Sequence, residues 1–297
     1  MAPGRCKAKG YFSMRNRLAR RMVANSLIAI YFTGPLMDRA LLIASTFCFL
    51  IGFAYTMYAL GARSYRTSGF NFMAILLGFL FQTGFLFSRG HAQGRCPLTN
   101  LFEVFIFLSW SVVGIYLVIG SSYRLSLMGV FTSPLVFLLQ VFALLALPDT
   151  ASPLKSHPKP WLELHAAVSI IAYGAFALAG VAGAMYLAQE RQLKTHQLRT
   201  IFFYLPPIAD LAVAIKRLLW TGFALLTVGL ISGFMVGFDV RQVVWGVGVW
   251  VVYGVILQVE KLKKVSPRRV AVLAVAAFSL TLTTLWGLTF LSAGGRF

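Results

Sequence analysis

Residues 101–120 read LFEVFIFLSWSVVGIYLVIG, twenty positions with one charged side chain, Glu103. At about 1.5 Å of rise per residue, twenty helical residues cover the roughly 30 Å of hydrocarbon in a bilayer. An unpaired backbone amide or carbonyl facing lipid finds no water to bond, so such a run crosses as a helix. Seven more segments share this character: Ala40–Leu60, Phe70–Phe87, Leu125–Leu147, Trp161–Leu187, Leu218–Gly237, Val243–Val259 and Val270–Leu291. Their apolar residues are continuous rather than alternating, which excludes a membrane β-barrel. The expected fold is an all-α, polytopic transmembrane helical bundle of about eight spans.

The 297 residues are 59% hydrophobic and 12% charged, with a mean hydropathy of +0.78. Soluble domains hold roughly 45–50% and 25%. A soluble enzyme, a secreted disulfide scaffold and a disordered chain are therefore excluded. Lys and Arg number 27 against 8 Asp and Glu, a net charge of +19. In a soluble protein that surplus would suggest nucleic acid. Between membrane spans it reads as an orientation signal and as contact with anionic headgroups. The expected partner is the lipid bilayer, and no nucleic acid.

Loops after the first, third, fifth and seventh spans carry thirteen Lys and Arg, and the other loops five. The basic-rich set is thereby placed in the cytoplasm, with both chain ends outside. Residues 1–36 form a basic extension ahead of the 37–297 transmembrane domain. Their Arg5, Lys7, Lys9, Arg15, Arg17, Arg20 and Arg21 conflict with an outer location. Either Val23–Leu36 adds a short span, or Met37 is the natural start. The reading adopted is Met37, after which Asp38 and Arg39 cancel.

Cys6, Cys48 and Cys96 form no CxxC and no CxxCH, so the chain is neither an obvious thiol oxidoreductase nor a c-type cytochrome itself. It carries no P-loop, GxSxG or HExxH pattern and no catalytic motif of its own. Of four histidines, His91, His157 and His165 fall at one side of this topology and His196 at the other. Each can be a hydrogen-bonded interfacial group. Imidazole is also the side chain that ligates haem iron while staying neutral in an apolar site. On a helix, His165 shares a stripe with Ser169, Ala172, Phe176, Ala179, Gly180 and Gly183. So small a face suits close helix packing, and also leaves room for a flat ligand beneath an axial histidine. The glycine run Gly229, Gly233, Gly237 is a packing signal, within the chain or between chains. Glu103 can cap its helix or serve a site. Asp239 and Arg241 can form an interfacial ion pair, and the tryptophans an aromatic belt.

Three stretches carry a resemblance. Gly90-His91 precedes Cys96-Pro97-Leu98-Thr99-Asn100-Leu101-Phe102-Glu103 and continues to Leu108-Ser109-Trp110. Leu154-Lys155-Ser156-His157 leads to Trp161-Leu162-Glu163-Leu164-His165 and Ala172-Tyr173. Asp210, Arg217, Gly222-Phe223, Leu226-Thr227, Gly229 and Gly233 form the third. Together they resemble the cytochrome c assembly protein family, with its CcsA-type and HemX-type membrane proteins. The tryptophan-rich motif of haem-handling members is reduced here to Asp239, Trp245 and Trp250. Their second outer histidine near the chain end has no counterpart, which resembles the HemX-type branch.

The resemblance implies a bacterial inner-membrane protein that binds or handles haem at its outer face. His165 would be the first axial ligand, with His157 or His91 the second. Trp161, Asp239, Trp245 and Trp250 would line the site. A subunit of a cytochrome c synthesis complex would present the apocytochrome thiols. The alternative is a HemX-like regulator of haem biosynthesis acting on glutamyl-tRNA reductase, docked by basic residues of Gln189–Arg217 and Glu260–Arg269. A small-solute transporter ranks last, because the spans hold almost no ionisable group at mid-depth.

Overall fold

The computed structural model describes residues 35–61, 69–98, 100–122, 128–146, 160–195, 207–236, 240–262 and 265–293. Each expected span is a helix: α1 (Pro35–Gly61), α2 (Gly69–Gln93), α3 (Leu101–Ser122), α4 (Met128–Ala146), α5 (Pro160–Lys194), α6 (Ile208–Val236), α7 (Val240–Lys261) and α8 (Pro267–Ala293). Six of them are long and apolar enough to cross a membrane, and α4 has an apolar centre at Phe131–Leu145. The chain is an all-α, multi-pass membrane bundle. The conjectured span Val23–Leu36 up to residue 34, the basic extension over the same residues, His157, His196 and Asp239 lie outside the described residues, while Pro35 and Leu36 open α1.

Several helices outrun the apolar segments that announce them. Helix α2 continues to Gln93, so Arg89 and His91 are helical rather than in a loop. Helix α5 continues to Lys194, and α6 starts at Ile208, which places Asp210, Lys216 and Arg217 on helix. Hydropathy marks the hydrocarbon thickness, whereas backbone hydrogen bonding carries a helix on into the interface.

Helix α5 is the hub. It packs most extensively on α6, and also on α8, α3 and α4, while α1–α4 pack among themselves. Lipid tails are as apolar as leucine, so helices associate through close van der Waals fit rather than through the hydrophobic effect. Small buried residues of α5, among them Ala172, Gly174, Ala175, Ala179 and Gly183, provide that fit. A Cβ on Gly174 would lie 3.1 Å from Val112 N of α3, and one on Gly183 would lie 2.8 Å from Ala271 O of α8. The stripe under His165 is thus filled by neighbouring helices, the packing reading of its small residues.

Polar side chains tie the α1–α4 group together. Ser45 Oγ donates to Gly78 O at 2.9 Å, and Gln140 Nε2 donates to Ser45 Oγ at 3.3 Å. Gln82 Nε2 donates to Ile106 O at 2.9 Å and to Ser109 Oγ. Asp38 is buried and accepts from Ser88 Oγ.

Candidate functional site

The C-terminal ends of α2 and α6 and the N-terminal ends of α3 and α5 meet at one end of the bundle. Helix α2 stops at Gly94, whose φ of 63° is easy for glycine. Gly94 N donates to His91 O at 3.3 Å and Arg95 N to Gly90 O at 3.2 Å, the paired bonds of a Schellman cap. Pro97 is buried close to Gly90, where a Cβ would stand 3.4 Å from Pro97 Cδ. Asn100 caps α3: its Oδ1 accepts from Glu103 N at 2.8 Å, and its carbonyl from Val104 N at 3.0 Å.

The carboxylate of Glu103 is then directed at α2 rather than at its own helix. Arg89 Nε and Gln93 Nε2 each reach Glu103 Oε1 at 2.8 Å, and Glu103 is fully buried. Arg89 and Gln93 are four apart, so both face α3. The Arg89 guanidinium also lies 5.8 Å from the ring centroids of Phe85 and Phe102. Sequence reasoning had Glu103 but missed Arg89, Gln93 and Glu163. A lone carboxylate at the head of a spanning run was the available signal, because such a charge needs a partner.

This cluster is linked to α5. Cys96 N donates to Glu163 Oε2 at 3.3 Å, two residues before His165. Burial, then the negative charges of Glu163 and Glu103, push the Cys96 thiol up to about 11. It therefore stays protonated at neutral pH, unlike an activated cysteine. With Cys6 and Cys48 replaced by serine, Cys96 should react with iodoacetamide about 100-fold more slowly at pH 8 than an ordinary thiol, as two pKa units dictate. The rate should keep rising to about pH 11. A plateau near pH 9 would remove the burial and charge effects.

His165 faces α6. Its Nδ1 lies 2.6 Å from Gly229 O. A carbonyl oxygen only accepts, so Nδ1 carries a proton. Ser232 Oγ lies 2.8 Å from the same oxygen. A Cβ at 229 would stand 2.5 Å from Ser169 Oγ, so a side chain there must displace that hydroxyl. The expected packing role of Gly229 is thus realised within the chain, and Gly233 is buried a turn further on. Trp161, one turn before His165 on the same face, is more than half exposed.

The other candidates are dispersed. His91 is exposed and stacks on Phe87 of its own helix at 6.3 Å. Trp245 is exposed. Trp250 Nε1 donates to Thr227 Oγ1 at 3.0 Å, and its ring stacks on Phe223 at 5.1 Å. Thr227 and Gly229 are two residues apart, about 200° around a helix, so Trp250 and His165 hold opposite faces of α6. Asp210 and Arg217 are exposed at the other end of the bundle. Among the described residues no three His, Cys, Asp or Glu side chains converge as a metal cluster.

The chain is 26% identical to the cytochrome c biogenesis protein CcsA of Porphyra purpurea over 280 aligned residues, covering 77% of this chain and 88% of that protein. It is 29% identical to the CcsA of Prochlorococcus marinus, covering 80% and 87%. It is also 29% identical to Protein HemX of Brevibacillus brevis over 158 residues, covering 52% and 58%. Residues 98–294, from the Asn100 cap through Glu103 and the His165–Gly229 seam to the last helix, match one family model, and the chain belongs to the Cytochrome C assembly protein family.

Proposed function

We propose that this chain handles haem during cytochrome c assembly, at the bundle end where α5 meets α6. The observation that carries the reading is the bond from His165 Nδ1 to Gly229 O. A backbone acceptor on one imidazole nitrogen fixes the ring orientation and raises the basicity of the other, the arrangement characteristic of metal-binding histidines. Haem, when bound, supplies the vinyl groups to which apocytochrome thiols add. The chain's own part is to hold and orient. His165 Nε2 is the axial donor, and Trp161 supplies an apolar wall beside it. His157, eight residues ahead, and His91 are the candidates for a second ligand. Asp239 and Trp245, from the α6–α7 connection and the start of α7, complete the rim. Trp250 acts by positioning α6 through Thr227 rather than by lining the site. A partner subunit presents the apocytochrome, since Cys6, Cys48 and Cys96 form no CxxC pair. The membrane is the inner membrane of a bacterium, and this end faces outward by its smaller share of basic loop residues.

The test is the absorption spectrum of detergent-purified protein, oxidised and reduced, beside His165→Ala. A Soret band with sharp reduced α and β bands is expected in the wild type. It should be weakened in His165→Ala and restored by free imidazole. Equal spectra from both proteins after haem loading would remove His165 as the ligand.

A regulatory reading, with glutamyl-tRNA reductase docked on the opposite end, rests on the cations there. Several of these are already paired within the chain: Lys194 and Arg268 with Glu190 at 2.7 and 3.3 Å, and Lys216 with Glu260 at 2.9 Å. That neutralisation favours haem handling over docking as the primary reading.

A further inference from the structure

Helices α7 and α8 touch only sparsely. Between them runs an open groove of about 400 Å³, lined solely by Val, Ile, Leu and Ala side chains. Val251, Val255 and Val259 form one wall, Leu273, Ala276 and Leu280 the other. From Val251 to Val259 the groove is about 12 Å long, close to the hydrocarbon depth of one leaflet. It occupies the half of the membrane next to the α7–α8 turn. There Lys261 closes α7, while Arg268 and Arg269 open α8. Arg269 is four residues before Leu273, on the groove-facing side of α8.

Of the described carboxylates at this end, Glu260 pairs with Lys216 and Glu190 with Lys194 and Arg268, while Asp210 is exposed in the first turn of α6. Lys261 and Arg269 have no ion pair among the described residues. Two arginines in the first turn of α8 also stand against its helix dipole, which favours anions at that position. An anionic group between them would relieve both conditions.

We propose that the α7–α8 groove is a binding site for one anionic phospholipid, an acyl chain lying along Val255 and Ala276 and the phosphate held by Arg269. The walls argue against a second transmembrane helix, because such interfaces use glycine, alanine and serine to bring backbones together, whereas valine and leucine dominate here. They also argue against haem, since no residue in the groove can ligate iron. The site is independent of the His165 seam at the other end.

Native mass spectrometry of the full chain, purified in neutral detergent and titrated with phosphatidylglycerol or phosphatidylcholine, tests this. One phosphatidylglycerol should be retained per chain, well above phosphatidylcholine. Arg269→Gln should weaken its apparent affinity about five-fold, equivalent to ~1 kcal/mol for one surface cation. Ala276→Phe, which fills the groove from an exposed position, should abolish the saturable site at unchanged unfolding temperature. Arg269→Gln, being exposed, keeps the test open should the phenylalanine variant not fold. Equal retention of the two lipids by the wild type, or unchanged retention in both variants, overturns the proposal. So does a dimer that Ala276→Phe dissociates with lipid binding intact.

Discussion

Replacing Glu103 by leucine lowers the stability of the detergent-purified chain by about 3–5 kcal/mol, and adding Arg89→Leu restores most of the loss. The single change removes the carboxylate to which Arg89 and Gln93 both bond at 2.8 Å. The guanidinium stays behind, 12% exposed, between the rings of Phe85 and Phe102. A buried cation that loses its anion retains its desolvation cost without the Coulombic return, and near a bilayer there is little water to move toward. Removing both charges removes the cost as well, so the double variant recovers. Glu103→Gln, whose amide oxygen still accepts, should fall between. Chemical unfolding in detergent across the four-member cycle gives the coupling energy directly. A Glu103→Leu loss below about 1 kcal/mol, or a double variant no better than the single, would reduce the pair to a surface contact. The damage should also reach the His165–Gly229 seam. Glu103 Oε1 holds Gln93, which ends α2 just ahead of the turn that carries Cys96, and Cys96 N donates to Glu163 two residues from His165.

The sequence and the fold part company at identifiable places. Eight apolar runs were legible because lipid demands nearly charge-free segments of a set length. The helix ends were not, since α2, α5 and α6 continue into the interface where hydropathy falls. That continuation is what places Arg89 and Gln93 one turn apart on α2. Counted as loop charges, Arg89 and Arg95 looked equivalent, and nothing local distinguished the one that meets Glu103. His165 was visible as a candidate ligand, but its protonated nitrogen was not, because the acceptor Gly229 O is 64 residues away. Trp250 shows the reverse error. Its nearness in sequence to Asp239 and Trp245 suggested a shared wall, whereas its bond to Thr227 holds it on the far face of α6.

Gly229→Leu should raise the dissociation constant for haem about 10–100-fold, the usual effect of losing an outer partner of a metal-binding histidine. Even a single methyl at 229 would stand 2.5 Å from Ser169 Oγ, with Ser169 N and Cα at 3.4 and 3.5 Å behind it. In Gly229→Ala the hydroxyl can turn aside, so that variant should lose less, and Ser169→Gly added to it should restore wild-type affinity. Leucine has no such escape. It must push α6 away from α5, and the 2.6 Å bond to His165 is the first contact to break. The imidazole then loses its fixed tautomer and orientation while remaining in the chain. Gly222→Ala separates this effect from helix packing in general. Gly222 faces Phe176 on the same α5–α6 seam, where a Cβ would lie 2.5 Å from the ring. That variant should therefore unfold more easily yet bind haem as the wild type does. Haem titration and thermal unfolding, measured on the wild type and all four variants, distinguish an anchor for His165 from mere helix contact. A folded Gly229→Leu with wild-type affinity, or an equal affinity loss in Gly222→Ala, would show that the carbonyl of Gly229 does not prepare His165 for iron.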